Sequence, residues 1–418
     1  MHRGGPSREP LRNPAFRRLW WARTVSGAGD ALVPVTLAFA VLGSRGSPSD
    51  LGLVLAAGMV GQVVFVLVGG VWADRVSRIG LLIGTDLVEA LTYGVLAVLL
   101  LAHEATVWQL ALGRGIAGVA AAFFMPASGA VVLDLVPKAQ LQQANALLGL
   151  SRSVAQVGGP ALAGILVAVA NPGVAFAVNA ASFVGSAALL SRLRLPARAV
   201  PRPRRSFRTE LAEGWGALWS RPWYPVNLLA HASWSFAIAF FLVLGPVITS
   251  RGLGGAAAWG VISAGVGAGL VVGGLIALRW QPHRPLVVGN LALVLAVGPV
   301  LGLSVPLSAW AIAGLAVVAY AGLAFLNEVW GAVVGNLYPS DILGRIESYD
   351  WLVSIIAMPA GYALAGPVAA ALGNRTALVL AAALIAVPSL AVCLLRGVRS
   401  VQRLPDGALV EGFPSTVR

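Results

Sequence analysis

The chain has 418 residues, of which 58% are hydrophobic and only 11% charged, and its mean hydropathy is +0.83. A water-soluble domain of this size needs far more charge to cover its surface, so a soluble enzyme or binding module is excluded. The single cysteine, Cys393, excludes an internal disulfide framework, and the net charge of +13 is spread in a way that does not point to nucleic acid.

The apolar residues fall in twelve blocks of about 20 residues or more, the length a helix needs to cross a bilayer core of about 30 Å. They are 19–42, 51–73, 79–102, 107–133, 141–169, 173–195, 225–250, 256–279, 285–304, 308–335, 346–372 and 375–396. Helices are expected because lipid offers no partner to an unpaired backbone amide, and a β-barrel would show alternating segments about half as long. The basic start ahead of an apolar run has the outline of a signal peptide. That run carries Arg23 and Asp30 and precedes eleven more blocks, so it is the first crossing. Of the 29 Lys and Arg residues, 23 lie in the two tails and in alternate connections, which by the positive-inside rule makes both termini cytoplasmic.

Polar residues inside the blocks are few. On the first helix Arg23, Ser26 and Asp30 form one stripe at i, i+3 and i+7, with Pro34 just beyond. The second ends in Gly69-Gly70-Val71-Trp72-Ala73-Asp74-Arg75-Val76-Ser77-Arg78. On the third, Asp86 and Glu89 share a face. The fourth carries Arg114, Gly118, Ala122 and Pro126 at four-residue spacing. This makes a groove of small residues with one cation, which either faces a cavity or snorkels to an interface. The fifth carries Arg152, with Gln156 one turn on, and then Gly158-Gly159-Pro160-Ala161-Leu162-Ala163-Gly164. Here Pro160 frees a carbonyl and bends the helix, and the small residues admit a close neighbour.

Between the sixth and seventh helices, 196–222 opens as the Pro/Arg linker PARAVPRPRR. It continues with Phe207, Leu211, Trp215, Leu218 and Trp219 at helical spacing, the pattern of an amphipathic helix lying on the membrane face. On the seventh, Asn227, His231 and Ser235 recur every four residues beside Trp234. They are read either as a wall for a bulky amphipathic substrate or as interfacial anchors. The tenth helix has Glu328 and the eleventh Asp350. The tail after Arg396 is polar, with Pro405 and Pro414, and is expected to be mobile.

The chain is also one unit written twice. GPALAG at 159–164 returns as GYALAG at 361–366, an offset of 202, and VGGVWADR at 68–75 returns as VGGLIALR at 272–279, an offset of 204. A parallel repeat of this length in so apolar a chain points to a transporter whose halves rock around a central site. The expected fold is all-α and integral to the membrane, with twelve helices in two pseudo-symmetric six-helix bundles. The expected layout is an N-tail at 1–18, bundles at 19–195 and 225–396, a linker at 196–224 and a C-tail at 397–418. The first half alone keeps Asp74, Arg114, Pro160 and the acids of helices 1 and 3, so coupling is sought there. A carboxyl among arginines in a desolvated span can switch its proton as the surroundings open. Asp30, Asp86, Glu89, Arg114, Arg152 and Glu328 are therefore the candidates for proton coupling or for lining the cavity. Static ion pairs between helices are the competing reading.

The stretch from Gly69 to Arg78 resembles the signature G-x-x-A-D-R-x-G-R-[RK] of the major facilitator superfamily, with Ser77 in place of the second glycine and Ile79 in place of a further basic residue. Arg114 with Gly118 resembles the family's helix-4 signature R-x-x-x-G. Gly159 to Gly164 resembles its antiporter signature G-P-x-x-G-G, with Ala163 for one glycine. The phrases LRNPAFRRLWWARTVSGAGDAL, VPKAQLQQANAL, ELAEGWGALWSRP and YPSDILGRIES resemble the branch that includes the enterobactin exporter and macrolide efflux permeases. The resemblance implies a cytoplasmic latch formed by Asp74, Arg75 and Arg78 with Gly69 and Gly70, and tight packing through Gly159, Pro160 and Gly164. It also implies a proton-coupled exporter of drugs, siderophores or other small metabolites in a bacterial inner membrane. Uptake of a nutrient, and a sensor or scaffold on the transporter fold, are the rival readings. The expected partners are a small-molecule substrate, protons and the lipid bilayer. No cofactor, metal, nucleic acid or enzymatic step is expected, and the chain is expected to act as a monomer.

Overall fold

The computed structural model describes residues 9–73, 76–137, 140–193, 215–339 and 342–412. Among these described residues, twelve helices are long and apolar enough to cross a membrane, and they follow the twelve blocks in order. We number them α1 (Pro14–Gly43), α2 (Pro48–Ala73), α3 (Arg78–Leu101), α4 (Val107–Leu135), α5 (Leu141–Val169), α6 (Pro172–Leu190), α7 (Trp223–Gly252), α8 (Gly255–Arg279), α9 (Pro285–Gly302), α10 (Ala309–Leu337), α11 (Leu343–Ile355 and Met358–Leu372) and α12 (Asn374–Leu394). The protein is an all-α, multi-pass membrane protein.

Local chemistry sets the ends of these helices. Asn13 caps α1, its side chain accepting from the Ala15 amide at 2.9 Å, and Pro14 follows at the first helical position. The Asn13 amide also donates to the Leu135 carbonyl at 2.9 Å, tying the start of α1 to the end of α4. Asn171 and Pro172 repeat the device on α6, and Thr106 with Gln109 forms a capping box on α4.

Among the described residues, three membrane-spanning helices are interrupted, each at the residue four positions before a proline. Helix α1 breaks after Asp30, four before Pro34, and α11 breaks after Ile355, four before Pro359. Helix α9 tightens into a 3-10 turn, Val294–Ala296, whose Leu295 stands four before Pro299. The proline has no N–H for that carbonyl and its ring crowds it, so the ladder stops there. Pro160, Pro246, Pro367 and Pro388 are accommodated inside continuous helices.

Contacts divide the chain into two compact units, 1–199 with 246–264 and 200–245 with 265–418. In the first, α1 packs on α5 and α6, α2 on α4, and α3 on α4 and α6. Its core runs through Val41, Leu51, Val54, Tyr93, Leu110 and Phe176, with Val247 from the end of α7. In the second, α9 packs on α10 and α12, around Trp223, Tyr224, Leu286, Val333 and Ile346.

The C-tail is folded, contrary to the expected mobility, from Arg396 to Gly412. A short helix, α13 (Arg396–Ser400), leads into a hairpin of β1 (Val401–Arg403) and β2 (Leu409–Glu411). Gly407 has a φ of 88°, and the Ala408 amide donates to the Asp406 carboxylate at 3.0 Å, so an Asp-Gly turn closes the hairpin. Val398, Val401 and Leu409 are buried in the core of the second unit, and the Arg403 amide donates to the His283 carbonyl at 2.8 Å. Glu411 pairs with Arg221, whose guanidinium also donates to the Leu337 carbonyl at 2.8 Å and lies 5.1 Å from the Tyr338 ring centre. Burial pushes the Tyr338 phenol up to about 12, so the ring stays neutral beneath the cation. Of the expected linker helix, 215–219 is helical, with Trp215 and Trp219 exposed and 5.8 Å apart, and 194–214 lies outside the described residues.

Candidate functional site

The helix-1 break places Asp30 at the last turn of the first segment of α1, exposed, inside an apolar span. From α3, the face carrying Asp86, Glu89 and Tyr93 turns toward it. From α4 comes Arg114, half-buried, which acts electrostatically on Asp30, Glu89 and Tyr93. The Arg114 side chain lies across α2 at Gly58, where a Cβ would come within 2.7 Å of its Cγ and 2.8 Å of its Nε. Gly118, one turn along α4, closes on the Gly58 backbone, so the small-residue groove brings the two helices together beside the cation.

A second knot adjoins this one. Arg23 faces Asp86 and Arg152, and its guanidinium stands 4.9 Å from the Phe124 ring centre. Asp86 is 1% exposed, and the Ser186 hydroxyl and Arg23 are the groups that act on it. Glu89 senses Asp30, Arg114 and Asp86 together, and so links the two knots. Asp30, Asp86, Glu89, Arg114 and Arg152 are thus gathered in one unit, with Arg23 completing three acids against three arginines. Glu328 is elsewhere, on an exposed face of α10 in the second unit.

The Gly-Pro stretch of α5 meets this cluster through its backbone. A Cβ on Gly159 would strike Ala31, the residue after Asp30, so α5 packs on the break itself. Pro160 and Gly164 face Gly260 of α8: a Cβ on Gly164 would lie 2.7 Å from the Ala256 carbonyl, and one on Gly260 would lie 2.7 Å from that of Pro160. Arg78 at the start of α3 pairs with Asp134 near the end of α4 at 2.6 Å. Gly69 and Gly70 end α2, while Asp74 and Arg75 lie outside the described residues.

The four-residue row on α7 divides. Asn227 is fully buried, donating to the Trp223 carbonyl at 2.6 Å and accepting from Asn290 of α9 at 2.7 Å, which spends it on helix packing. Trp234 and Ser235 are also buried, Trp234 beside Tyr320 at 6.3 Å. His231 is half-buried with its ring edge-on to Trp330 at 5.0 Å. Sequence reasoning missed Tyr93 and Gly58. The i, i+4 spacing of Glu89 and Tyr93 was the available signal for the first, and nothing local marked the second. It also missed how Asp350 is held, with the hydroxyls of Tyr224 at 2.9 Å and Ser354 at 3.2 Å and the Trp330 indole donating to it.

The profile of the Major Facilitator Superfamily matches residues 19–349. The chain belongs to the Major Facilitator Superfamily. This superfamily member is 28% identical over 387 residues to the uncharacterized MFS-type transporter YfiS of Bacillus subtilis, covering 85% of this chain and 89% of that protein. It is 25% identical to macrolide efflux protein A of Streptococcus pyogenes, over 84% and 88% of the two chains. It is 27% identical to the multidrug efflux pump Tap of Mycolicibacterium fortuitum, over 87% and 90%. Among solved structures, a bacterial homologue of the lysosomal transporter Spinster superposes with a TM-score of 0.69 at 15% identity, covering 94% of this chain and 98% of the other. The nucleoside transporter NupG gives a TM-score of 0.69 at 13% identity, over 90% and 98%. These two likenesses establish the fold. The protein is a transporter of small molecules in a bacterial membrane, not an enzyme.

Proposed function

We infer that this superfamily member is a proton-coupled exporter of amphipathic small molecules such as macrolides and other drugs. The observation that carries the coupling is the meeting of Asp30, Glu89 and Arg114 at the proline-made break of α1, with Arg23, Asp86 and Arg152 beside them. Two forces oppose each other on a carboxyl in such a place. Loss of water favours its neutral form and a neighbouring guanidinium favours its charge, so a small rearrangement moves the proton. Gly159 packs on Ala31, so a shift of α5 reaches Asp30 through one backbone contact. The efflux assignments of the relatives support the direction of transport. The Arg78–Asp134 pair, together with Asp74 and Arg75, serves as the latch at one membrane face, and the placement of the arginines puts both termini in the cytoplasm.

The test is transport in proteoliposomes under an imposed pH gradient, with erythromycin and ethidium as probes. Movement of a probe against its own gradient, abolished by a protonophore, is the expected result. Movement unaffected by the pH gradient contradicts the coupling, and accumulation in the opposite direction contradicts export.

A further inference from the structure

We propose that the C-terminal hairpin, α13 and the connection between α8 and α9 form a shelf that binds the headgroup of an anionic phospholipid. The inference is independent of the coupling reading and uses residues of the second unit alone.

Three short segments meet at one end of this unit. Helix α8 ends at Arg279, and residues 280–284 lead into α9. Helix α12 ends at Leu394, and α13 turns back on it, with Arg399 Nε donating to the Cys393 carbonyl at 2.8 Å. Both α13 and β1 pack on the start of α9, where the Arg403 amide donates to the His283 carbonyl at 2.8 Å. Leu286, Val398 and Val401 are buried in one core and hold these segments together. The arginines of the tail therefore stand on a fixed support, and a headgroup that binds them has little chain to order.

The charge on this shelf is one-sided. Arg279, Arg284, Arg396 and Arg399 are exposed, and the last two stand at i and i+3 on α13. Among the described residues, none of the four makes an ion pair. The two acids of the hairpin are engaged elsewhere, Glu411 with Arg221 and Asp406 with the Ala408 amide. A guanidinium presents a planar fork of donors that matches a phosphate.

Apolar side chains stand among these cations. Trp280, Leu394, Leu395 and Leu404 are all exposed, and the Trp280 ring stacks on Phe325 of α10 at 5.1 Å. A tryptophan at the end of a span marks the headgroup level of the bilayer. Arginines and bare leucines at that level suit a ligand with both a phosphate and acyl chains. Free phosphate would satisfy the first and leave the second in water.

The experiment is native mass spectrometry of the full-length protein, released from micelles holding equal amounts of phosphatidylglycerol and phosphatidylcholine with the same chains. The wild type is expected to retain phosphatidylglycerol in preference. The double variant Arg284→Gln with Arg396→Gln should bind it at least about fivefold more weakly, while Arg375→Gln, at the other end of α12, stays within about twofold. The thermal transition in neutral detergent shows whether the double variant is folded; if it is not, Arg284→Gln alone is read in the same way. Equal retention of the two lipids by the wild type overturns the proposal. So does undiminished binding in the folded variant, and so does an equal loss in Arg375→Gln, which would make the preference a property of diffuse charge.

Discussion

The two halves of the repeat make the same backbone contacts and surround them with different chemistry. Gly159 of α5 packs on Ala31 at the break of α1, and its counterpart Gly361 of α11 packs on Phe236 and Ala239 of α7. Gly61 of α2 meets the Gly115 carbonyl of α4, where a Cβ would come to 2.6 Å. Its counterpart Gly265 of α8 meets the Ala313 carbonyl of α10, also at 2.6 Å. Yet the first-half contact at Ala31 stands next to a carboxylate and a set of arginines, and the second-half contact stands among Phe236, Phe240 and Trp234. The glycines are therefore scaffold, shared because helices in lipid need close approach to pack. The cluster of acids and arginines around Asp30 belongs to one copy. The same asymmetry recurs at the helix ends, where Asp134 holds Arg78 while its counterpart Asn336 bonds the Ala332 carbonyl of its own helix.

This comparison breaks if charge in the second half couples as well. Asp30→Asn is expected to lower pH-driven efflux at least about tenfold, whereas Glu328→Gln, on an exposed face of α10, stays within about twofold, measured as initial rates at equal protein. Equal losses in the two variants would make the halves functionally alike. The scaffold side is sharpened by Gly159→Val and Gly361→Val. Each drives a side chain into a neighbouring backbone and should cost about 1–3 kcal/mol, read as matched falls in thermal stability in detergent. A large loss in one and none in the other would deny the shared role.

A smaller effect is expected at the C-terminal hairpin, which has no partner in the first half. Glu411→Gln removes one side of an ion pair whose carboxylate is 9% exposed, and should cost about 1–2 kcal/mol of stability while leaving the pH profile of transport unmoved. Asp134→Asn, which writes the second-half residue into the first, should change stability by less than about 1 kcal/mol because Arg78 and Asp134 form a part-exposed pair. Its transport rate should fall if the pair is part of the latch, and stay unchanged if the pair is only a solvated contact.

How much of this was legible in the sequence follows from the range of each interaction. The twelve spans were readable because length and apolarity act locally. The grouping of Asp30, Asp86, Glu89, Arg114 and Arg152 was readable because charges in lipid must find each other. The break of α1 needed only Pro34 and the residue four before it. Asn227 was misleading as a wall residue because its partner, Asn290, lies on another helix, 63 residues away. Gly58 gave no local sign that an arginine from α4 lies across it. The hairpin carried its own signal in Asp406-Gly407 between Val401 and Val410, but Pro405 made the stretch read as coil.

The central claim is that the first-half charge cluster carries the proton. The most direct measurement is proton movement coupled to erythromycin in proteoliposomes bearing Asp30→Asn, alongside exchange of erythromycin down its own gradient. The account predicts that exchange persists while coupled proton movement falls to background. Coupled proton movement at the wild-type level would contradict it.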